Sequence, residues 1–289
     1  VSLSVVATAI SAATFIGAPF QSYAKDLTYL SAVIGQFMAI LLVAAFFIPV
    51  YYREQVATVY ELIGTRFGNR AKLACSWMFM IGRVFANGSR LFMAGIAGSQ
   101  LMFADSAGWH VATGILMLSA VGVAYTLVGG IKAVIWTEVV QTVVLVGAAV
   151  AAIVVLLNRI PAPVSHLVDV LAAAPAGTSS AGSKLDVVRV GVSSAGLDLA
   201  KPYTLVAALL CWPVFNLAAY GTDHDLAQRM LTCRTAAHGA RSAVGAILIG
   251  IPITAIFMVI GLLLYVFYDR PDVMGSAWPG ARTGNPEDV

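Results

Sequence analysis

Three hydroxyls, Thr8, Ser11 and Thr14, punctuate the apolar stretch 5–23, VVATAISAATFIGAPFQSY. Small residues dominate it, and Gly17 and Pro19 follow the hydroxyls. Proline lacks a backbone N–H and glycine weakens a helix, so a break is expected at Gly17–Pro19. In hydrocarbon, a carbonyl freed by a break must be satisfied by protein, water or an ion. A broken, hydroxyl-bearing membrane segment is therefore a candidate ion and solute site. The same small residues would also let helices approach closely. On this stretch alone the two readings stand side by side.

Other polar residues sit in apolar surroundings. Arg83, Asn87 and Arg90 recur at offsets of four and seven, which places them on one helical face. A charge inside a membrane is costly and faces a partner or a watery cavity. At about 1.5 Å per residue from the start of its run near Leu73, Arg83 would lie about 15 Å deep, at mid-bilayer. Its guanidinium needs an anion, either a protein carboxylate such as Glu138 or a carboxylate on a solute. Glu138 and Gln141 follow Lys132 in GGIKAVIWTEVVQ (129–141), and Gln36 is a further polar residue at membrane depth. For Gln36, a helix–helix hydrogen bond and a solute contact are equally open. Asn216 lies between Pro213 and Gly221 in CWPVFNLAAYGTDHDLAQR (211–229), a second segment expected to break. This inventory suits binding and release rather than bond making. It offers no nucleophile–base pair, no glycine-rich phosphate loop and no metal cluster. The cysteines Cys75, Cys211 and Cys233 imply no disulfide framework.

The elements that must position these residues are membrane helices. Of 289 residues, 60% are hydrophobic and 11% charged, and mean hydropathy is +0.87. Soluble domains carry about 25% charged residues. Seven runs are long enough to cross about 30 Å of hydrocarbon, at roughly 3–23, 28–50, 73–103, 109–128, 133–157, 204–224 and 242–267. Lys and Arg gather between the second and third, fourth and fifth, and sixth and seventh runs, which puts the start of the first run in the cytoplasm. Segment 58–72, TVYELIGTRFGNRAK, is basic and amphipathic and should lie along the inner surface. Segment 158–203 falls outside and should be irregular, with a short helix near 164–173. The first and sixth runs, five apart, cross in opposite directions and both carry helix breakers, the pattern of an inverted-repeat transporter. Val1 lies inside an apolar run and the last residues form a polar loop, so an internal fragment of a longer protein is expected.

Four stretches resemble the sodium/solute symporter family, which includes the sodium–glucose cotransporters: ATAISAATFIGAPFQSY, FFIPVYYREQVATVYELIGTRFG, GGIKAVIWTEVVQ and NLAAYGTDHDLAQRML. They keep their order and spacing over nearly the whole chain. The resemblance implies an all-α integral membrane protein with a LeuT-type fold of two inverted five-helix repeats. It would be incomplete here: a first repeat at 1–157, an outer loop at 158–203, the first two helices of the second repeat at 204–268 and a truncated outer loop at 269–289. It implies that sodium binds backbone carbonyls of Ala7 and Ile10 together with hydroxyls of an eighth span. Ser11, Thr14 and Asn216 map to solute-facing positions. The sugar transporters tend to have Gln where Thr14 stands, and Ala219 replaces their gating aromatic, with Tyr220 beside it. Glu138, commonly Asp in the family, maps to the sodium pathway. The Gly82–Arg83 pair resembles sialic-acid-type members, which favours a carboxylate-bearing solute. The implied function is a multi-pass symporter of the plasma (inner) membrane, working with sodium, a small organic solute and the lipid bilayer, and not with nucleic acid. Two alternatives remain open, a symporter-like sensor domain of a larger signalling protein and a sodium/sugar symporter. A membrane enzyme would need clustered His, Asp or Glu, which the sequence lacks.

Overall fold

The structure is a computed structural model and describes residues 2–10, 12–56, 58–177, 182–193, 196–197 and 201–279. The described residues are nearly all helical. Twelve α-helices run in order: α1 Ser2–Ala9, α2 Ala12–Ala24, α3 Ala32–Leu42, α4 Ile48–Arg53, α5 Val59–Phe67, α6 Asn69–Phe103, α7 Gly108–Arg159, α8 Val164–Ala173, α9 Leu205–Gly221, α10 His224–Leu231, α11 Ala236–Asp269 and α12 Pro271–Met274. A 3-10 turn, Thr28–Ser31, leads into α3, and a π-helical turn, Val43–Phe47, joins α3 to α4. The two-residue strands β1 (Val192–Ser193) and β2 (Gly196–Leu197) pair antiparallel within the loop 158–203. The short helix expected in that loop is α8.

Four of the expected spans are single helical stretches long and apolar enough to cross a membrane: Thr28–Arg53, Gly108–Gly130, Ala133–Arg159 and Ala236–Asp269. Two more arise if α1 with α2, and α9 with α10, each count as one broken span. The expected third span corresponds to α6, whose 35 residues suffice in length. Its apolar character is diluted by Arg83, Asn87, Ser89, Arg90, Ser99 and Gln100. α7 is two helices meeting at Gly130, where φ 56° and ψ −156° leave the helical region. Glycine adopts that backbone at no steric cost.

The helix breaks do not fall at the prolines; that of the first span falls at Ile10, within the stretch the family resemblance assigns to sodium, and that of the sixth just after Gly221. Pro19 sits inside α2 and Pro213 inside α9. The first span breaks at Ile10, which lies outside both α1 and α2. The sixth breaks at Thr222–Asp223, where the chain turns by 61°. Each proline is instead absorbed by a glycine on a facing helix. A Cβ at Gly261 of α11 would collide with the Pro19 carbonyl and the Ser22 hydroxyl, and one at Gly35 of α3 would meet Pro213 Cδ at 2.9 Å. Such close packing lets a membrane helix carry a proline without ending.

The chain divides into two compact units. The first comprises Val1–Thr14, Ala39–Thr142 and Asn216–Ile247. Here α5 begins at a cap: the Thr58 hydroxyl accepts the Glu61 N–H at 3.1 Å. That Thr-x-x-Glu spacing is a helix start signal. Gly68 (φ 86°) then ends α5, so Asn69–Lys72 belong to α6 rather than to the expected surface segment. α6 and the first arm of α7 cross at glycines, with the Gly95 carbonyl 3.2 Å from where a Gly114 Cβ would stand.

The turn between those two helices is held by Asp105. Its carboxylate accepts the Ala107 N–H at 3.1 Å and lies 2.9 Å from His110 Nδ1. The His110 hydrogen bond holds the Asp105 carboxyl below the usual carboxylate range. Its stabilising contribution is therefore complete above the unfolded-state pKa and is lost as pH falls through the lower folded value. The affected window lies below about pH 4. Asp105→Asn should lower the unfolding temperature at pH 7 and lower it by less at pH 3. An equal drop at both pH values in a thermal melt would contradict this.

The second unit comprises Phe15–Met38, Val143–Phe215 and Leu248–Val289. Its core gathers Leu156, Ile160, Leu167, Leu171, Leu262 and Val266. The loop 158–203 is anchored to the end of α2 by a buried lysine. Lys184, 2% exposed, donates from Nζ to the carbonyls of Tyr23 at 2.6 Å, Lys25 at 3.2 Å and Ser22 at 3.5 Å, and lies 3.9 Å from the centre of the Tyr265 ring. The last carbonyls of a helix have no partner within it and attract a cation. Burial lowers the ammonium pKa. Arg189 adds a 3.0 Å ion pair with buried Asp26, whose carboxylate also accepts the Thr28 N–H at 2.9 Å.

Candidate functional site

Glu138, in the second arm of α7, is the centre of a buried polar network in the first unit. Ser4 and Thr8 stand four residues apart on α1 and so share a face. The Ser4 hydroxyl donates to Glu138 Oε2 at 2.5 Å. Thr8 Oγ1 lies 3.3 Å from Glu138 Oε1 and 2.7 Å from the Ser4 carbonyl. From α10, Arg229 pairs through Nη2 with Glu138 Oε1. Its Nε lies 3.3 Å from Oε2 and 3.2 Å from Ser4 Oγ. Nη1 donates to the Asp225 carbonyl one turn earlier at 2.6 Å. Ser4 is fully buried and Arg229 is 8% exposed. Both carboxylate oxygens are therefore engaged, and the charges of the pair cancel.

A second ion cluster lies at the start of α10. Asp223 caps that helix, its Oδ1 accepting the Asp225 N–H at 2.9 Å. Its Oδ2 pairs with Arg83 Nη1 at 3.0 Å, and Asp225 takes Arg83 Nη2. The sequence offered Glu138 as the protein partner of Arg83. The partners are instead Asp223 and Asp225, because Arg229 already occupies Glu138 and the α10 cap places two carboxylates in front of Arg83. Carboxylates are favoured at a helix N-terminus in any case. Arg83 also lies 5.9 Å from the Phe79 ring centre. Nearby, the Tyr60 hydroxyl, Arg83 Nε and His224 Nδ1 are buried without a hydrogen-bond partner among the described residues.

The remaining expected residues are distributed as follows. Ala7 lies in the last turn of α1, and Ile10 just beyond it donates its N–H to the Val6 carbonyl at 2.8 Å. Ser11 lies outside the described residues. Thr14 is half-buried in α2. Asn216 and Tyr220 are buried in α9, four residues apart and thus on one face. Gln36 is half-buried in α3 and belongs to the second unit. Sequence reasoning did not single out Ser4, Asp223, Asp225 or Arg229. The available signals were the four-residue spacings Ser4–Thr8 and Asp225–Arg229 and the Asp that precedes α10.

Residues 1–286 match the Sodium:solute symporter family, and the chain belongs to that family. It is a multi-pass membrane protein of a family of transporters rather than enzymes. Among curated relatives, it is 30% identical over 168 residues to the sodium/sialic acid symporter SiaT of Proteus mirabilis (strain HI4320), covering 57% of this chain and 32% of that protein. It is 30% identical over 278 residues to sodium-coupled monocarboxylate transporter 2 of Danio rerio (96% and 41%). It is 27% identical over 284 residues to the human sodium/iodide cotransporter (94% and 39%). The chain thus spans 32–41% of the length of these relatives. A solved Na+-coupled sialic acid symporter, in a substrate-bound outward-open state, superposes with a TM-score of 0.75 at 23% identity, covering 94% of this chain and 54% of that one. That likeness gives the fold, which is LeuT-type.

Proposed function

We propose that this chain forms part of a sodium-coupled secondary active transporter that imports a small organic solute, one bearing a carboxylate, across the plasma membrane. The observation that carries the reading is the break of the first span at Ile10, in a chain of this family. α1 ends at Ala9, and the carbonyls of a helix's last turn find no partner within the helix itself; among the described residues, the Ile10 N–H reaches the Val6 carbonyl. Oxygen ligands of that kind suit a hard cation, and Ala7 and Ile10 would offer theirs to sodium. Ser11, Thr14, Asn216 and Tyr220 would serve the solute. Arg83 would join them only if a solute carboxylate replaces Asp225, the more exposed of its two partners at 37% against 22%. Two of the named relatives act on sialic acid and monocarboxylates, which supports an acidic solute.

The coupling is reciprocal: sodium raises solute affinity by the factor by which solute raises sodium affinity. The test is uptake into proteoliposomes of radiolabelled monocarboxylates, sialic acid and neutral sugars, with sodium or choline outside. Sodium-dependent uptake of an acidic solute is expected. Uptake indifferent to sodium would defeat the reading, and uptake of neutral sugars alone would remove the carboxylate.

A further inference from the structure

We infer that Glu138 and Arg229 form a fixed jaw that sets the position of α1, and with it the Ala7 and Ile10 carbonyls, through the hydroxyls of Ser4 and Thr8. Glu138 is then a positioning residue and not a sodium ligand. The inference rests on the reading of Ala7 and Ile10 as sodium ligands given above.

Three observations lead to it. First, the carboxylate has no oxygen to spare. Oε1 faces Arg229 Nη2 and the Thr8 hydroxyl, while Oε2 takes the Ser4 hydroxyl and faces Arg229 Nε. A sodium ion at Glu138 would have to displace a guanidinium held by two of its nitrogens, and such two-point pairs are the strong ones. Second, the charge of the carboxylate is matched by that of the guanidinium it pairs with. Third, what Glu138 touches besides Arg229 is α1. With eight residues, α1 is too short to be stable on its own. Its position depends on its attachments, and the polar ones among the described residues are few. Ser4 and Thr8 reach Glu138, and Ser2 Oγ lies 3.3 Å from Ser242 Oγ of α11. The Thr8 hydroxyl shares its one proton between the Ser4 carbonyl at 2.7 Å and Glu138 Oε1 at 3.3 Å, so the tether and the helix are one unit. Ala7 is Thr8's neighbour in sequence and Ile10 lies two residues on. A shift of the jaw therefore passes directly to the proposed ligands.

A jaw and a ligand respond differently to charge removal. Breaking one side of a buried ion pair leaves an uncompensated charge, whereas removing both charges is tolerated. In the full-length protein in detergent, binding of radiolabelled sodium alone should weaken at least tenfold in Glu138→Gln and in Arg229→Met. The double variant, which keeps an amide for Ser4 and Thr8, should return to within threefold of wild type. If the double variant binds sodium as poorly as Glu138→Gln, Glu138 gives its charge to the ion and the jaw is wrong. Should Arg229→Met fail to fold, Ser4→Ala with Thr8→Val keeps the ion pair and cuts the tether. It should show the same tenfold weakening, and wild-type sodium binding in that variant would overturn the jaw. Absence of saturable sodium binding in the wild type would instead overturn the underlying assignment of Ala7 and Ile10.

Discussion

Gly261→Ala is expected to destabilise the protein by about 2–4 kcal/mol. The new methyl has no room: its carbon would overlap the Pro19 carbonyl and the Ser22 hydroxyl. Both belong to α2, and a backbone oxygen cannot swing aside as the tip of a long side chain can. Overpacking of this kind costs about 1–3 kcal/mol. Ser22 would also be pushed from the Met258 carbonyl, to which it donates at 2.7 Å, at a further cost of about 1 kcal/mol. Gly250 lies on the same helix, and nothing stands within 4 Å of the place a Cβ would take there, which makes Gly250→Ala the control. Thermal melts in detergent should place Gly261→Ala several degrees below wild type, with Gly250→Ala at or above it. Coincident melts of the two variants would mean that α2 and α11 do not meet at this glycine.

Arg83→Ala should destabilise the protein by on the order of 2–4 kcal/mol after allowance for the partial exposure of the cluster. Without the guanidinium, Asp223 and Asp225 face each other with no cation between them. Asp223 also caps α10, so repulsion there works against the start of that helix. Arg83→Lys should recover only part of the loss, because an ammonium does not present the planar fork that spans two carboxylates. Arg83→Met combined with Asp223→Asn and Asp225→Asn should recover more than Arg83→Met alone. Expression level and melting temperature read all of these. A different result, wild-type stability in Arg83→Ala together with lost uptake of acidic solutes, would make Arg83 a reader of the solute carboxylate.

The family, the apolar spans and the glycine junction between the fourth and fifth spans were legible because each is written locally. A run of twenty apolar residues and a Gly-Gly before Ile-Lys-Ala carry their meaning within a few positions. The breaks were not legible in the same way. Pro19 and Pro213 look like the strongest interruptions, yet each is accommodated by a glycine distant in sequence, Gly261 and Gly35 respectively. No residue type near Ile10 marks it as the point where a helix ends; only the family resemblance pointed there. Ion pairing escaped for a related reason. Arg83 and Arg229 compete for three carboxylates, and the outcome depends on which helices become neighbours. Arg229 could be read from the chain only as a charge on the cytoplasmic side, whereas the structure buries it against Glu138 and Ser4.

The buried ammonium of Lys184 gives the polypeptide an order of assembly. The carbonyls it satisfies belong to a helix finished 161 residues earlier, as counted from Tyr23. A ribosome making this chain releases that helix long before it releases the group that completes its end. Through the synthesis of the intervening spans, those carbonyls must be served by water or by the insertion machinery. Once the loop 158–203 follows, a single side chain closes the helix end and fastens the loop to it. The lysine thus acts as a late keystone, linking completion of the helix end to the arrival of a segment made much later.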